Sequence, residues 1–144
     1  MLDRFHTFTV LITKINYQIR KLKTEEMEKF NLKGTHVSCL YYLFKMNTLT
    51  AAELCDICHE DKAAISRSIE YLEKEDYLCC ESKTQKRYKS LLHLTQKGNE
   101  IAKAIASKVD AIVEKASAGL SEQDREVMYR ALNSICQNLE SLTK

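Results

Sequence analysis

The chain has 144 residues with a formal net charge of +2, no Pro, three Gly and six Cys. That length suits one domain able to bury about two thirds of its unfolded surface without disulfides or metal, and the scarcity of Gly and Pro favours long helices over a loop-rich or all-β design. So small a net charge does not mark a nucleic-acid binder by itself, which leaves the placement of Lys and Arg to carry any such role.

The first six residues, Met1 to His6, lack the basic-then-apolar pattern of an export signal. No apolar run approaches the ~20 residues of a membrane span. A cytoplasmic setting and no membrane partner are therefore expected. In a reducing compartment cysteines are more often small buried residues than disulfide halves, and Cys39, Cys55, Cys58 and Cys136 all fall on apolar helix faces, so core packing is their leading reading.

Phe5, Phe8, Ile12, Ile15, Ile19 and Leu22 are spaced 3, 4, 3, 4, 3, a single stripe on a first helix over about residues 2–30. Val37, Leu40, Tyr41 and Phe44 mark a second helix, opening near Gly34-Thr35 and closing at Met46-Asn47. Thr50, with Glu53 three residues on, is the expected N-cap of a short third helix ending near Cys58. Asp61 caps a fourth, which runs to Lys74, and Asp76 follows at a left-handed turn that Asp tolerates better than most residues. Strands are expected over residues 77–81 and 88–94, forming a hairpin. Thr95 caps a long fifth helix with the stripe Ile101, Ile105, Val109, Ile112 and Ala116. After a break at Gly119, Met128, Leu132, Ile135, Leu139 and Leu142 stripe a sixth.

In the fourth helix the apolar residues Ile65, Ile69 and Leu72 share one face, which leaves Lys62, Ala63, Ser66, Arg67 and Glu70 outward. Small and polar outward residues suit a DNA groove. Between the strands, Ser82-Lys83-Thr84-Gln85-Lys86-Arg87-Tyr88-Lys89 holds four basic residues and no acidic one, as a phosphate-facing wing would. The plain alternative for Ser66 and Arg67 is a solvated helix face, and for Lys83, Lys86, Arg87 and Lys89 a solubilising hairpin tip. The two features in sequence favour DNA. Arg67 suits a bidentate contact to a guanine edge and Lys62 a phosphate.

Leu49-Thr50-Ala51-Ala52-Glu53-Leu54, Ile65-Ser66-Arg67-Ser68-Ile69-Glu70-Tyr71-Leu72-Glu73-Lys74 and Leu94-Thr95-Gln96-Lys97-Gly98 stand together in a spacing that resembles the MarR family of bacterial winged helix-turn-helix regulators. The likeness spans nearly the whole chain. It implies a mainly α fold of six helices with a small β-hairpin wing, one domain over residues 1–144, with a DNA-binding lobe at about 34–95 and dimerisation helices at about 1–30 and 96–144. It further implies that residues 50–58 support, 61–74 recognise and 83–89 form the wing, with Arg87 where the family's wing arginine enters the minor groove. Three positions depart from the pattern. Lys86 stands where an aspartate usually flanks that arginine, Tyr88 where a second arginine is usual, and Asp76 where Gly usually follows the recognition helix. The expected partners are double-stranded DNA, a second copy of the chain and, by inheritance, a small-molecule effector; Tyr17, His36, Tyr41 and Tyr42 are available to line its site, although aromatic residues at helical spacing are more often core.

Cys55-Asp56-Ile57-Cys58-His59 spells the haem-attachment pattern, but that chemistry follows export. A zinc or iron site needs further ligands, and His36, Cys39, Cys79, Cys80 and His93 offer no closing spacing. No cofactor is expected. No cysteine precedes Cys39, so the family's first-helix thiol sensor does not carry over, while Cys79-Cys80 remains oxidisable if a thiolate is exposed. Neither a Gly-rich phosphate loop nor a nucleophile motif anchors an enzyme. The expectation is a DNA-binding transcriptional regulator, a repressor acting as a homodimer on a pseudo-palindromic operator. The alternatives are a thiol-redox or metal sensor on the same scaffold, or a helical protein-interaction module without DNA.

Overall fold

In the computed structural model, which describes residues 3–81 and 89–143, helix boundaries follow local capping chemistry. Helix α1 covers Arg4–Met27, with the Asp3 side chain accepting from the Phe5 N–H. A turn of 3-10 helix, Glu28–Phe30, then ends at left-handed Asn31. The sequence predicts an α-helix to about residue 30, and the last three of those residues tighten into this turn instead. Helix α2, Gly34–Met46, matches its expected bounds. Helix α3, Ala51–Cys58, starts where Thr50 Oγ1 accepts from the Glu53 N–H at 3.1 Å. Helix α4, Lys62–Lys74, starts where Asp61 Oδ1 accepts from Ala64 N–H at 2.7 Å. A cap of this kind contributes about 1 kcal/mol.

Three short strands form one antiparallel sheet in the order β1-β3-β2: β1 Thr48–Thr50, β2 Leu78–Cys80 and β3 Leu91–Leu94. The hairpin of β2 and β3 is where the sequence puts it, though both strands are shorter. The strand β1 is an addition. Its three residues carry no readable alternation of their own and become a strand by pairing Leu49 with Leu92. Leu40, Leu43, Leu54, Ile65, Leu72, Leu78, Leu92 and Ile105 are all at most 1% exposed and make the core.

Leu94-Thr95-Gln96-Lys97-Gly98 docks the first turn of helix α5, Gln96–Ala116, onto the start of β2. Thr95 Oγ1 accepts from the Gly98 N–H at 3.0 Å and donates to the Asp76 carbonyl at 2.6 Å. Lys97 donates to the Glu75 carbonyl at 2.9 Å, its ammonium 4.7 Å from the centre of the Tyr77 ring. A Cβ on Gly98 would run into the Tyr77 carbonyl, so only Gly permits this approach. Asp76 itself has φ 62°, the left-handed turn expected of it.

The chain divides into two compact units, Met1–Ala106 and Ser107–Lys144. In the second, helix α6, Glu122–Leu142, is capped by Ser121. Arg125 holds both carboxylate oxygens of Glu114, at 3.0 and 3.2 Å, tying the start of α6 to the end of α5. The stripe on α1 is open along its length: Phe5 is 74% exposed, Ile15 56% and Ile19 44%. Helix α6 has no buried residue, and Leu132, Leu139 and Leu142 are exposed. Cys136 is likewise exposed, which corrects its reading as core: it lies on a helix that buries none of its residues.

Candidate nucleic-acid interface

Helix α3, the turn 59–61 and α4 form a helix-turn-helix. His59 takes a left-handed conformation, φ 52°, and so turns the chain sharply out of α3 at a position where Gly would be the easiest residue. Helix α4 then buries Ile65, Ser68, Ile69 and Leu72. The helical period places Lys62, Ala63, Ser66, Arg67 and Glu70 on the opposite face, and all five are exposed. Four of the expected site residues are thereby brought together on one ridge, beginning at the helix N-terminus, where the positive end of the helix dipole adds to Lys62 in favouring a phosphate.

Tyr71 fixes the other end of this ridge. Its hydroxyl donates to the Asn31 carbonyl at 2.8 Å, and its ring stacks on His36 of α2. The recognition-type helix is thus braced against the junction between α1 and α2. Neither contact is signalled locally in the sequence, because the partners lie 40 and 35 residues away.

Of the wing residues, Lys89 is exposed just before β3, while Lys83, Lys86, Arg87 and Tyr88 lie outside the described residues. Strands β2 and β3 are held together by side-chain as well as backbone contacts. Glu81 N–H donates to the Leu91 carbonyl at 2.9 Å, and Cys80 Sγ donates to Ser90 Oγ at 3.0 Å. Cys79 and His93 face each other across the strands, Sγ to Nε2 at 3.0 Å, with Glu81 Oε1 3.9 Å from His93 Nδ1. Burial and the acidic groups around it, led by Asp76 and Glu73, push the Cys79 thiol up, away from the thiolate.

An open groove of about 700 Å³ runs beside α4, walled by Thr24, Asn31, Lys33, Thr35, His36, Arg67 and Tyr71 among others. Of the four aromatic and imidazole residues considered for an effector site, the structure brings only His36 to it. Tyr17 is 61% exposed on α1, and Tyr41 and Tyr42 pack edge to face with each other at 5.3 Å. Among the described residues no group of three or more His, Cys, Asp or Glu is arranged to hold a metal, and no helix is long and apolar enough to cross a membrane.

No known family's sequence pattern matches the chain, and no curated protein matches it in sequence. The fold, in contrast, is that of MarR family regulators. A MarR family regulator from Listeria monocytogenes solved with a 26mer DNA superposes with a TM-score of 0.81 at 22% identity, covering 96% of this chain and 90% of that one. The MepR-DNA complex of S. aureus gives 0.79 at 19% identity, covering 95% and 99%. A Staphylococcus aureus MarR in complex with salicylate and kanamycin gives 0.82 at 20% identity, covering 94% and 92%.

Proposed function

We propose that this chain is a winged helix-turn-helix transcriptional regulator that binds double-stranded DNA as a homodimer and represses from a pseudo-palindromic operator. The observation that carries the reading is the exposed ridge Lys62-Ala63-Ser66-Arg67 on a helix whose other face is sealed by Ile65, Ile69 and Leu72. Small residues let the helix approach the floor of the major groove, while Arg67 and Lys62 supply a base contact and a phosphate contact. Two structures of like fold hold DNA, which supports the same use of the fold here. Lys83, Lys86, Arg87 and Lys89 are proposed as the wing's contacts on the adjacent minor groove.

The domain reading follows from the same proposal. Residues 34–95 act on DNA, and the terminal helices join two copies through the open stripes of α1 and α6. A twofold dimer of this kind presents its two recognition helices about 34 Å apart, one turn of DNA. For the effector, the groove beside α4 is the proposed site. Arg67 and Lys33 on its wall suit an anionic molecule, the Tyr71 and His36 rings suit a flat one, and a ligand there would take Arg67 away from DNA. A structure of like fold holds salicylate, a molecule of this chemistry.

The test is a titration of fluorescent random-sequence duplex DNA with the full chain across a salt series. The logarithm of affinity should fall linearly with the logarithm of salt, as counterion release requires. Binding absent even at low salt would favour a helical protein-interaction module.

A further inference from the structure

Strands β2 and β3 bring together three side chains that sequence position alone does not join. Cys79 is paired with His93 in the sheet register, with Thr48 of β1 on the far side of His93, and residues paired this way share one face. Cys79 Sγ lies 3.0 Å from His93 Nε2. Across the ring, Glu81 Oε1 is 3.9 Å from Nδ1, a nitrogen that is shielded from solvent and makes no hydrogen bond among the described residues. That separation is too long for a hydrogen bond, so Glu81 acts on the ring through its charge. A carboxylate there favours the tautomer that carries its proton on Nδ1 and leaves the Nε2 lone pair to the thiol.

The thiol needs such an acceptor. Burial and the carboxylates of Asp76 and Glu73 favour the protonated form of Cys79, whereas the thiolate is the nucleophile, so the proton has to leave as the sulfur reacts. A sulfur of high pKa is also the stronger nucleophile once that proton is gone. Cys80, the next residue, donates to the Ser90 hydroxyl and has no base at that contact. Cys79, His93 and Glu81 are all partly exposed, within reach of a small solute. An open cavity of about 330 Å³ has His93 on its wall beside Leu43, Phe44, Leu94, Asn47 and Asn99. It is small for a ligand site, and its apolar and amide lining suits a carbonyl compound of few carbons, held one side chain away from the Cys79 sulfur.

We propose that Cys79 is a modification site for small α,β-unsaturated carbonyl compounds, with His93 as the base that takes its proton and Glu81 as the residue that positions His93. Cys79 sulfur attacks the β carbon while its proton passes to His93 Nε2. The S–C bond forms, and the C=C electron pair moves toward the carbonyl to give an enolate. The α carbon of the enolate then takes the proton from Nε2, which leaves a thioether on Cys79, a saturated carbonyl and a neutral His93. Nothing else is consumed.

The position of the site gives the adduct a consequence. A thioether has no proton to donate to His93, so modification removes a side-chain tie between β2 and β3, the strands that lead into and out of residues 82–89. The loss of DNA affinity expected from it rests on the DNA-binding reading above.

The experiment exposes the reduced full chain to limiting methyl vinyl ketone, quenches with excess free thiol at intervals and locates the adduct on each cysteine by tandem mass spectrometry. Cys79 should be modified faster than Cys80 and Cys55 by about tenfold or more, as a positioned base allows. In His93→Gln the Cys79 rate should fall by a similar factor while Cys55 keeps its own, with buried Cys39 still unmodified as the sign of an intact fold. Glu81→Gln should lower the Cys79 rate by less, and Glu81→Asp should restore it. Cys80 or Cys55 modified ahead of Cys79 in the parent, where no substitution disturbs the fold, overturns the site. An unchanged Cys79 rate in His93→Gln overturns the base, and Glu81→Asp no faster than Glu81→Gln overturns the positioning role. In parallel, the modified chain should lose affinity for a random-sequence duplex at low salt that the unmodified chain binds, and Cys79→Ser should bind equally with and without the reagent. Modified Cys79 with unchanged affinity overturns the regulatory consequence, whereas failure of the unmodified chain to bind overturns the DNA reading and leaves the adduct map to decide the site.

Discussion

The imidazole of His36 lies flat against the ring of Tyr71, with ring centroids 4.3 Å apart and planes 8° from parallel. This stack couples α2 to the helix proposed to read DNA. His36 Nδ1 accepts the Lys33 N–H at 3.0 Å, which requires that nitrogen to be unprotonated. Burial, with the Lys33 ammonium second, lowers the His36 pKa below its usual 6.5. An unfolded chain therefore takes up a proton near pH 6.5 that the folded chain resists, and stability falls as pH drops through that window. Urea midpoints should decline below about pH 6.5. In His36→Phe, which keeps a ring against Tyr71 and loses the titration, the decline should be shallower; an unchanged decline would remove His36 from the account.

Gly98 and Asp76 predict opposite responses at one junction. Gly98→Ala forces a Cβ against the Tyr77 carbonyl and should cost about 1–3 kcal/mol. Asp76→Gly relieves a left-handed residue and should gain up to about 1 kcal/mol. Denaturant midpoints of the two variants should bracket the parent. Midpoints moving in the same direction would contradict the proposed docking of α5 on β2.

On DNA, Arg67→Ala should weaken binding to a selected site by about 1–3 kcal/mol and relax preference at one base position. Lys62→Ala should weaken all sequences alike and lower the salt slope by about one. Arg87→Ala should both weaken binding and flatten the slope. Anisotropy titrations on matched and mismatched duplexes separate these patterns, and equal affinity for Arg87→Ala and parent would sink the wing assignment.

The open stripe on α1 predicts self-association. Sedimentation at micromolar concentration should give twice the 16.6 kDa chain mass, and Ile15→Asp, which puts a charge amid the exposed apolar residues, should give the chain mass alone. A monomeric parent would overturn the terminal-helix dimer.

Much of this fold was legible in the sequence because its boundaries are set locally. Asp61, Thr50 and Thr95 each cap a helix with their own side chain, and a cap needs only the three residues that follow it. The outward face of α4 was equally legible, since Ile65, Ile69 and Leu72 fix the inward one. What escaped depends on distant partners. The strand β1 exists only against β3, and the brace of Tyr71 needs Asn31 and His36. Cys136 was misread for a related reason, because an apolar helix face does not say whether its cover comes from the same chain. His36 reaches the groove beside α4 while Tyr17, Tyr41 and Tyr42 do not, a distinction that spacing along a helix cannot make.

The central claim is that two copies of α4 read DNA in adjacent major grooves. Selection of bound sequences from random duplex DNA by the purified, reduced full chain tests it most directly. Enrichment of an inverted repeat with half-sites about one helical turn, roughly 10 base pairs, apart is the predicted result, with the enrichment lost in Arg67→Ala. A single unpaired half-site, or no enriched sequence at low salt, would contradict it.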